Sequence, residues 1–378
     1  MNYSLNDEQK ILKDTARSFF TEELKSSLVR EVEEDEQGYS RKLWESIAEF
    51  GWMGTIIPEE FGGFEATFFE LSLILEEMGY AGYAGPFFST VVLGALTILT
   101  AGTPEQKRSV LEEVSLGKRL MTLALEETGD GPSACEIATT AKKVADGFLL
   151  NGCKRFVPFA HVADTIICAA RTGDGGKNGE EGISLFLVDR RSQGVSIEVL
   201  NTIARDKQCD VVFNNVLVSG DSLLGEAGEG WQLLQGVLRV ASVAKCAEMV
   251  GGARKVLEMV VEYAKTRKQF GQPIGSFQAI QHHCANMLTC LDSSALLTFY
   301  ASKRIGQGLS YEKEAAMCKA WVSDSYRKLT ALGHQVMGGV GFIDESDLQI
   351  YFRRAKAAEQ ALGDATYHRE IVAQLMGL

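Results

Sequence analysis

The chain has 378 residues, of which 46% are hydrophobic and 23% are charged, and its formal net charge is −12. This composition is typical of a globular protein with a sizeable core, and the negative charge argues against nucleic-acid binding because the surface repels phosphate groups. The eight cysteines form no Cys-x-x-Cys pair, so we expect no bound metal and interpret them as buried free thiols in a reducing compartment.

The N-terminal third of the chain has helical spacing throughout. It begins without a secretory-signal pattern, and no segment reaches the ~18 uninterrupted apolar residues of a membrane span, so we expect a cytoplasmic protein that does not bind membranes. Ser40 is placed to cap one helix, and Thr103 followed by Pro104 is placed to begin another. We predict an N-terminal α-helical domain over residues 1–117.

The pattern changes twice more along the chain. Between residues 118 and 225, short β-branched and apolar runs alternate with glycine-rich turns, which predicts a small β-barrel or sandwich domain. Long helical patterns then predict a C-terminal four-helix bundle domain over residues 226–378. Its helices are expected over 229–266, 277–306, 311–337 and two shorter stretches from Asp347 onward. The predicted fold class is therefore α+β.

The segment from Tyr263 to Gln278, YAKTRKQFGQPIGSFQ, carries the most specific pattern. From spacing alone it is a cationic helix end, a turn and a second helix started by Ser276, and two interpretations stay open. One is a capped helix–turn–helix with a solvated basic end. The other is an anion site, in which the planar Arg267 guanidinium binds phosphate beside the flat face of Phe270.

This segment resembles the R-x-x-F-G-x-x-I-x-x-x-Q signature of acyl-CoA dehydrogenases. The resemblance implies that Arg267 reaches the pyrophosphate of an FAD held mainly by a neighbouring subunit, that Phe270 packs on the same FAD, and that Gln278 lies nearby. Residues 335–342, QVMGGVGF, resemble the family's Q-x-x-G-G-x-G-F turn, whose glycines let backbone N–H groups approach a ligand. The cofactor residues implied in this second motif are Gln335, Gly338 and Gly339.

A first segment of the β region resembles a flavin-lining strand of the same family. Leu123 to Ser133 falls where the family has a strand and a T-E-P-G-x-G-S turn. Leu125 stands in place of the usual threonine and Glu127 in place of the proline, with one residue inserted before Ile137. The resemblance therefore implies that mainly the backbone groups of Leu123 and Leu125 contact the flavin.

A second segment, residues 151–158 (NGCKRFVP), resembles the family's N-G-x-K-x-W-I-T strand, whose aromatic residue and threonine lie against the isoalloxazine ring and its N5. Phe156 keeps an aromatic side chain, which is either a wall of the flavin site or plain core of the β domain. Pro158 has neither a hydroxyl nor an N–H, so one hydrogen bond to the flavin is absent or comes from backbone elsewhere.

The reaction that the resemblance implies is removal of an α-proton from an acyl-CoA thioester by a carboxylate, with the β-hydride passing to flavin N5 and the electrons to an electron-transfer flavoprotein. In most of the family the base is the glutamate of a Y-E-G-T sequence. Leu362 occupies that position here, and a second position used by a minority of the family corresponds to Ala241 and Ser242. The Leu362 backbone N–H still matches the family's donor to the thioester carbonyl.

Three hypotheses for the base stay open. Asp364 is a relocated base, although the same aspartate is placed to cap a following helix. Alternatively Glu248, Glu126 or another carboxylate approaches the thioester from outside the motifs. In the third hypothesis the chain is a non-catalytic or cofactor-supporting subunit of a heteromeric acyl-CoA dehydrogenase, whose homologous partner carries the glutamate. We expect a homotetramer or a heterotetramer with a homologous subunit.

Overall fold

The computed structural model describes residues 4–127, 131–173 and 179–378. The helices of the first region are α1 (Asp7–Glu23), α2 (Ser26–Glu34), α3 (Arg41–Glu49), α4 (Phe68–Ala81), α5 (Leu96–Ala101) and α6 (Pro104–Ser115). A π-helix, Phe88–Ala95, runs directly into α5. Ser40 caps α3 by accepting the Leu43 N–H, and Thr103 caps α6 in a reciprocal pair with Gln106, as the sequence predicts.

One sheet occupies the middle of the chain, and a small hairpin follows it. The strands are β1 (Met121–Ala124), β2 (Thr140–Val144), β3 (Gly147–Pro158), β4 (Thr165–Arg171), β5 (Ile183–Asp189), β6 (Val195–Leu200), β7 (Gln208–Val218), β8 (Leu223–Leu224), β9 (Lys268–Gln269) and β10 (Gln272–Pro273). The order across the sheet is β6-β7-β3-β2-β4-β5-β8, and β1 pairs with β4 in parallel. Its core includes Phe148, Phe186 and Phe213.

The C-terminal region is helical again. Its elements are α7 (Gly230–Thr266), α8 (Gln278–Gly306), α9 (Glu312–Met337), α10 (Gly339–Phe342), α11 (Asp347–Gln360) and α12 (Ala365–Leu375). The three long helices begin and end within one residue of the predicted bounds. The prediction that Ser276 starts the second of them is wrong, because α8 begins at Gln278 and the Ser276 hydroxyl instead donates to the Pro273 carbonyl over 2.7 Å.

Backbone contacts divide the chain into two compact units. The helical unit contains the described residues up to Glu31, Thr67–Tyr83 and Ser242–Leu378, and the sheet unit contains Val32–Ala66 and the described part of residues 84–241. Within the helical unit, α8, α11 and α12 pack against α9, and α4 packs against α1 and α8.

Two glycines bring the backbones of α4 and α7 close together in the helical unit. A methyl group at Gly79 would lie 1.9 Å from the Glu248 carbonyl oxygen, and one at Gly251 would lie 1.8 Å from the Glu76 carbonyl oxygen. The Glu76 carboxylate also pairs with Arg254 of α7 at 3.0 Å. Small residues and a partly buried ion pair therefore fix α4 against α7.

The predicted order of a helical, a β and a second helical region is confirmed. The three domain boundaries stay a prediction. The prediction that all cysteines are buried is wrong: Cys135 and Cys153 are exposed and Cys284 is half-buried. On β3 successive side chains point to opposite faces, so Cys153 faces outward while its neighbour Lys154 faces the interior.

The described residues lack two features, a helix that could cross a membrane and a cluster of metal ligands. None of the helices they form combines the length and the apolar character that crossing a membrane requires. Nor do any three of their histidine, cysteine, aspartate and glutamate side chains come together as ligands for a metal ion.

Candidate functional site

The hairpin after α7 presents an aromatic ring to solvent. β9 pairs with β10, and the two residues between them, Phe270 and Gly271, have φ angles of 54° and 84°. Two successive left-handed residues define a type I′ turn, which suits glycine but strains phenylalanine by roughly 1–2 kcal/mol. The Phe270 ring is 93% exposed. A strained and exposed apolar ring is typical of a residue that contacts a ligand or another chain.

Arg267 lies at the base of this hairpin. Its N–H donates to the Tyr263 carbonyl and its carbonyl accepts the Ile274 N–H, both over 2.8 Å, so the backbone of the turn is fixed. The Arg267 side chain is exposed, and its guanidinium has no hydrogen-bond or ion-pair partner within the described residues. Gln278, the first residue of α8, is also exposed. All three predicted residues of this motif are therefore open to a partner from outside the chain.

The second motif forms a turn at the end of α9. Gly338 has a φ of 60° and a ψ of −141°, a conformation restricted to glycine. Apart from the adjoining backbone, no atom of the described residues lies within 4 Å of a methyl group placed at Gly338 or Gly339. Gln335 is exposed. Behind the turn, the buried His334 ring lies 4.7 Å from the Phe342 ring, centroid to centroid. The backbone of the glycine turn is therefore accessible, and the His334 and Phe342 rings pack behind it.

Both motifs lie at the same end of the helical unit. A methyl group at Gly333 of α9 would lie 3.3 Å from the side chains of Val256 and Val260 of α7. Arg267 follows Val260 by seven residues, which is about 10 Å along α7 at a rise of 1.5 Å per residue. Gly338 follows Gly333 by five residues, which is about 8 Å along α9. The structure thus brings the arginine hairpin and the glycine turn to one end of the unit.

Leu362 and Asp364 lie far from that end. Their turn joins α11 to α12, and the Gly363 carbonyl within it accepts a hydrogen bond from Lys319 of α9 over 2.8 Å. Lys319 precedes Gly333 by 14 residues, which is about 21 Å along the helix. The predicted residues of the helical unit therefore form two separate groups.

The turn that contains Leu362 is left-handed. Leu362 has a φ of 62° and Gly363 a φ of 89°. The Ala361 N–H donates to the Ala357 carbonyl and the Gly363 N–H to the Gln360 carbonyl, whereas the Leu362 N–H has no acceptor in the part of the chain that the structure describes. This N–H is available as a hydrogen-bond donor.

Asp364 has a structural role in the same turn. One carboxylate oxygen accepts the Tyr367 N–H over 2.8 Å and caps α12, as the sequence allows, and the side chain is half-buried. The other carboxylate oxygen has no hydrogen-bond partner among the described residues. Of the other carboxylates considered, Glu248 forms an ion pair with Lys245 on its own helix.

In the sheet unit, Phe156 is the most unusual of the predicted residues. β3 has a bulge between Lys154 and Val157, and within it Phe156 has a φ of 51° and a side chain that is 43% exposed. Bulges re-aim side chains and are common beside active sites. The exposed ring argues against plain β-domain core, the alternative that the sequence left open.

The other predicted residues of the sheet unit are more enclosed. The Leu123 and Leu125 side chains are buried, so these residues have backbone groups, not side chains, to offer a cofactor. The Leu125 carbonyl accepts a hydrogen bond from Lys154, and the Pro158 carbonyl accepts one from the Thr122 hydroxyl over 2.6 Å. Part of the predicted turn after Glu127, residues 128–130, lies outside the described residues.

Glu126 and Glu127 follow β1, and the pKa values of their carboxyl groups are shifted in opposite directions. Burial would raise the pKa of Glu127, but the fully buried Lys154, 2.6 Å away, and the Thr139 N–H hold it below its ordinary value. Burial, with a smaller effect from Glu136, raises the pKa of Glu126 to about 7. Glu127 is therefore a structural ion-pair partner, whereas Glu126 titrates near neutral pH, which no sequence pattern shows.

Three family models match the chain along its length. Family models for the N-terminal, middle and C-terminal domains of acyl-CoA dehydrogenase match residues 6–118, 122–216 and 228–377. The chain belongs to the acyl-CoA dehydrogenase family. It is an oxidoreductase, and its cofactor is FAD.

Three similar proteins come from bacteria, and the names of two of them mention a complex. The enzyme is 31% identical to the caffeyl-CoA reductase-Etf complex subunit CarC of Acetobacterium woodii, over 92% of each chain. It is 27% identical to butyryl-CoA dehydrogenase from Megasphaera elsdenii, with a TM-score of 0.93 over 100% of both chains. A chain of the ChsE4-ChsE5 complex from Mycobacterium tuberculosis is 25% identical, with a TM-score of 0.90 over 100% of this enzyme and 99% of that chain.

The residues present fit FAD. The Arg267 guanidinium, without a partner in the described chain, has the charge and the planar donors that a pyrophosphate needs. Gly338 and Gly339 leave space where side chains would otherwise keep a ligand from the backbone. Phe270 and Phe156 offer exposed aromatic faces in the helical and sheet units respectively.

Proposed function

We propose that the enzyme catalyses α,β-dehydrogenation of an acyl-CoA thioester and passes the electrons to an electron-transfer flavoprotein. The observation that carries the proposal is the left-handed turn, two residues before the Asp364 carboxylate, at Leu362, whose N–H has no acceptor among the described residues. An N–H directed at the thioester oxygen stabilises the enolate that forms when the α-proton leaves. FAD, when bound, supplies the hydride acceptor for the β-carbon.

Asp364 is the proposed base. One of its oxygens is used in the cap of α12, and the other has no partner among the described residues. Gly363, with a φ of 89°, lies between Leu362 and Asp364, so the carboxylate belongs to the residue two positions after the Leu362 N–H. The base and the carbonyl donor then belong to one turn, so a substrate held by the N–H brings its α-carbon close to the carboxylate.

A second subunit completes the proposed cofactor site. About 21 Å of α9 separates the level of the Leu362 turn from that of Gly333, near the Arg267 hairpin. This distance supports a site in which the Leu362 turn serves the flavin of its own subunit, while Arg267 and Phe270 reach the flavin of a neighbour. We infer a homotetramer or a heterotetramer with a homologous subunit, and the similarity to a subunit of an Etf complex supports the electron acceptor.

The alternative function is that of a cofactor-supporting subunit in a heteromeric enzyme. Two observations favour it: the side chain at the family's usual base position is Leu362, and Asp364 already caps a helix. The similarity to a chain of a two-component complex is consistent with such an assembly.

One substitution separates the two functions. In Asp364→Asn the side-chain oxygen still accepts the Tyr367 N–H, so the cap is kept and the basic carboxylate is lost. The dehydrogenase proposal predicts that purified wild type is yellow and reduces a dye with one or more of a panel of acyl-CoA esters. It also predicts that Asp364→Asn keeps the colour and loses turnover by about 10³-fold.

The control is Asp364→Ser, which retains a cap but no carboxylate and should be equally inactive. Full turnover by Asp364→Asn would exclude Asp364 as the base. A wild-type chain that is inert alone and active only when mixed with a homologous chain would establish the alternative function.

A further inference from the structure

The turn at Leu362 is held in a conformation that its sequence does not favour. A leucine with a φ of 62° is disfavoured by roughly 1–2 kcal/mol, and such strain persists only where the surroundings enforce it. Leucine also lacks the polar side chain with which asparagine or aspartate stabilises a left-handed residue. The source of the constraint must therefore lie in the groups around the turn.

Lys319 is the first of these groups. Its side chain is completely buried, and its ammonium donates to the Gly363 carbonyl at 2.8 Å, the Glu359 carbonyl at 3.0 Å and the Ser323 hydroxyl at 3.1 Å. Three acceptors match the three N–H donors of an ammonium group. Lys319 thus joins α9 to the end of α11 and to the turn itself.

His368 of α12 is the second group. Its Nε2 lies 2.9 Å from the Leu362 carbonyl oxygen, and its ring is buried. Burial, together with the charge of Lys319, lowers the pKa of His368 to about 4, so at neutral pH the ring is uncharged and donates its Nε2 proton to that carbonyl. The two successive carbonyls of the turn are therefore each held by a buried donor from a different helix.

We propose that Lys319 and His368 are positioning residues, which clamp the carbonyls of Gly363 and Leu362 so that the Leu362 N–H stays directed at the substrate's thioester oxygen. The inference rests on the proposed function. It assigns the alignment of the carbonyl donor to two buried side chains, neither of which touches the substrate. A leucine at position 362 is compatible with this arrangement because the donor is a backbone group.

The charged groups around Lys319 are consistent with a clamp that works as an ammonium. Burial lowers the pKa of Lys319 to about 8, an effect that Lys245 of α7 increases and that Cys246 of α7, Asp364 and Glu359 oppose. Above that pH the side chain loses its charge and one of its three N–H donors, which weakens its hold on the two carbonyls.

The test uses the purified FAD-loaded enzyme and four variants. Lys319→Met and His368→Leu each remove one donor, and His368→Gln retains an N–H that reaches the same carbonyl. Cys318→Ala serves as the control for a disturbance of α9, because the buried Cys318 thiol is on the same helix and pairs instead with the Thr298 hydroxyl of α8 at 3.4 Å.

The first measurement needs no substrate. Hydrogen–deuterium exchange of the peptide that contains the turn should be at least tenfold faster in Lys319→Met and His368→Leu than in wild type, His368→Gln and Cys318→Ala. Unchanged exchange in both donor-free variants, with the fold intact by circular dichroism, would overturn the clamp whatever reaction the enzyme catalyses.

The second measurement follows the thioester carbonyl of bound butyryl-CoA labelled with ¹³C at C1. Infrared spectra should show its stretch shifted to lower frequency in wild type and His368→Gln, and by less than half as much in the two donor-free variants. With any acyl-CoA ester turned over, kcat should fall about 10²-fold while KM stays within about threefold.

The infrared outcomes distinguish failure of the positioning role from failure of the proposed function. A full carbonyl shift in Lys319→Met and His368→Leu would overturn the positioning role and leave the proposed function standing. A wild-type enzyme that binds the labelled ester without any shift would overturn the proposed function, and the inference with it.

Discussion

Substitution of Lys319 by methionine should change the pH dependence of stability in a defined direction. Methionine has a similar length and no charge. The pKa of Lys319 is lowered from 10.5 to about 8 in the folded enzyme. The folded state therefore holds this proton less tightly than the unfolded chain does, and the free energy of unfolding rises with pH between about 8 and 10.5.

The size of the effect follows from the shift. Each pKa unit corresponds to about 1.4 kcal/mol, so the charged lysine opposes folding by roughly 3 kcal/mol at pH 7 and by about 1.4 kcal/mol at pH 9.5. The free energy of unfolding of wild type, minus that of Lys319→Met, should therefore grow by about 2 kcal/mol over this range. Titrating groups that do not interact with Lys319 cancel in the difference.

The assay is the thermal midpoint of both proteins, measured at equal protein and FAD concentrations from pH 7 to 9.5. For a chain of 378 residues, a change of 2 kcal/mol corresponds to roughly 2–3 °C in the difference between their midpoints. A difference that stays constant across this range would show that Lys319 does not titrate near pH 8, and would refute the reasoning from its burial.

Three further predictions concern other residues. Glu126→Gln, which mimics the protonated side chain, should raise the thermal midpoint at pH 8 but not at pH 5. Burial raises the pKa of the folded carboxyl to about 7, so the proton that stabilises the fold is lost as the pH rises through that value. Equal shifts at both pH values would contradict this prediction. Glu127→Gln leaves the buried Lys154 without its ion-pair partner and should lower the free energy of unfolding by about 3–5 kcal/mol in urea titrations. Glu45→Gln removes the exposed ion pair with Arg41 and serves as a control with almost no expected effect. Phe270→Ala should reduce the FAD retained on gel filtration with little change in helix content, whereas Ile11→Ala, which also truncates an exposed apolar side chain, should retain FAD. Full FAD retention by Phe270→Ala would exclude a contact between the Phe270 ring and the cofactor.

The helical parts of the fold could be predicted closely from the sequence. α7, α8 and α9 are long, so their apolar periodicity is sampled many times and their ends are marked by glycine or proline nearby. The sequence of β2 does not indicate a strand, because it is only five residues long and exposes Lys142 and Lys143 on consecutive positions, which hides the alternation of a strand.

The site was predicted as motifs and not as geometry. Sequence spacing identifies Arg267 and the glycine turn, but their shared location depends on how α9 packs against α7, which is a long-range contact. The burial of Lys319 and its bond to Gly363, 44 residues further along the chain, are likewise invisible in a local pattern. In sequence, Lys319 is one lysine in an amphipathic helix.

The substitution at position 362 separates two tasks that one residue performs in most of the family. A glutamate there supplies both a carboxylate and a backbone N–H, and a leucine supplies only the second. The structure retains what the second task needs: a left-handed φ at Leu362 and a buried donor on each of two successive carbonyls. If the turn had lost both tasks, nothing would maintain a strained leucine above a buried lysine, since each opposes folding. The retained strain is therefore consistent with the proposed role of the Leu362 N–H as donor to a thioester carbonyl, whether the proton is taken by Asp364 or by another chain.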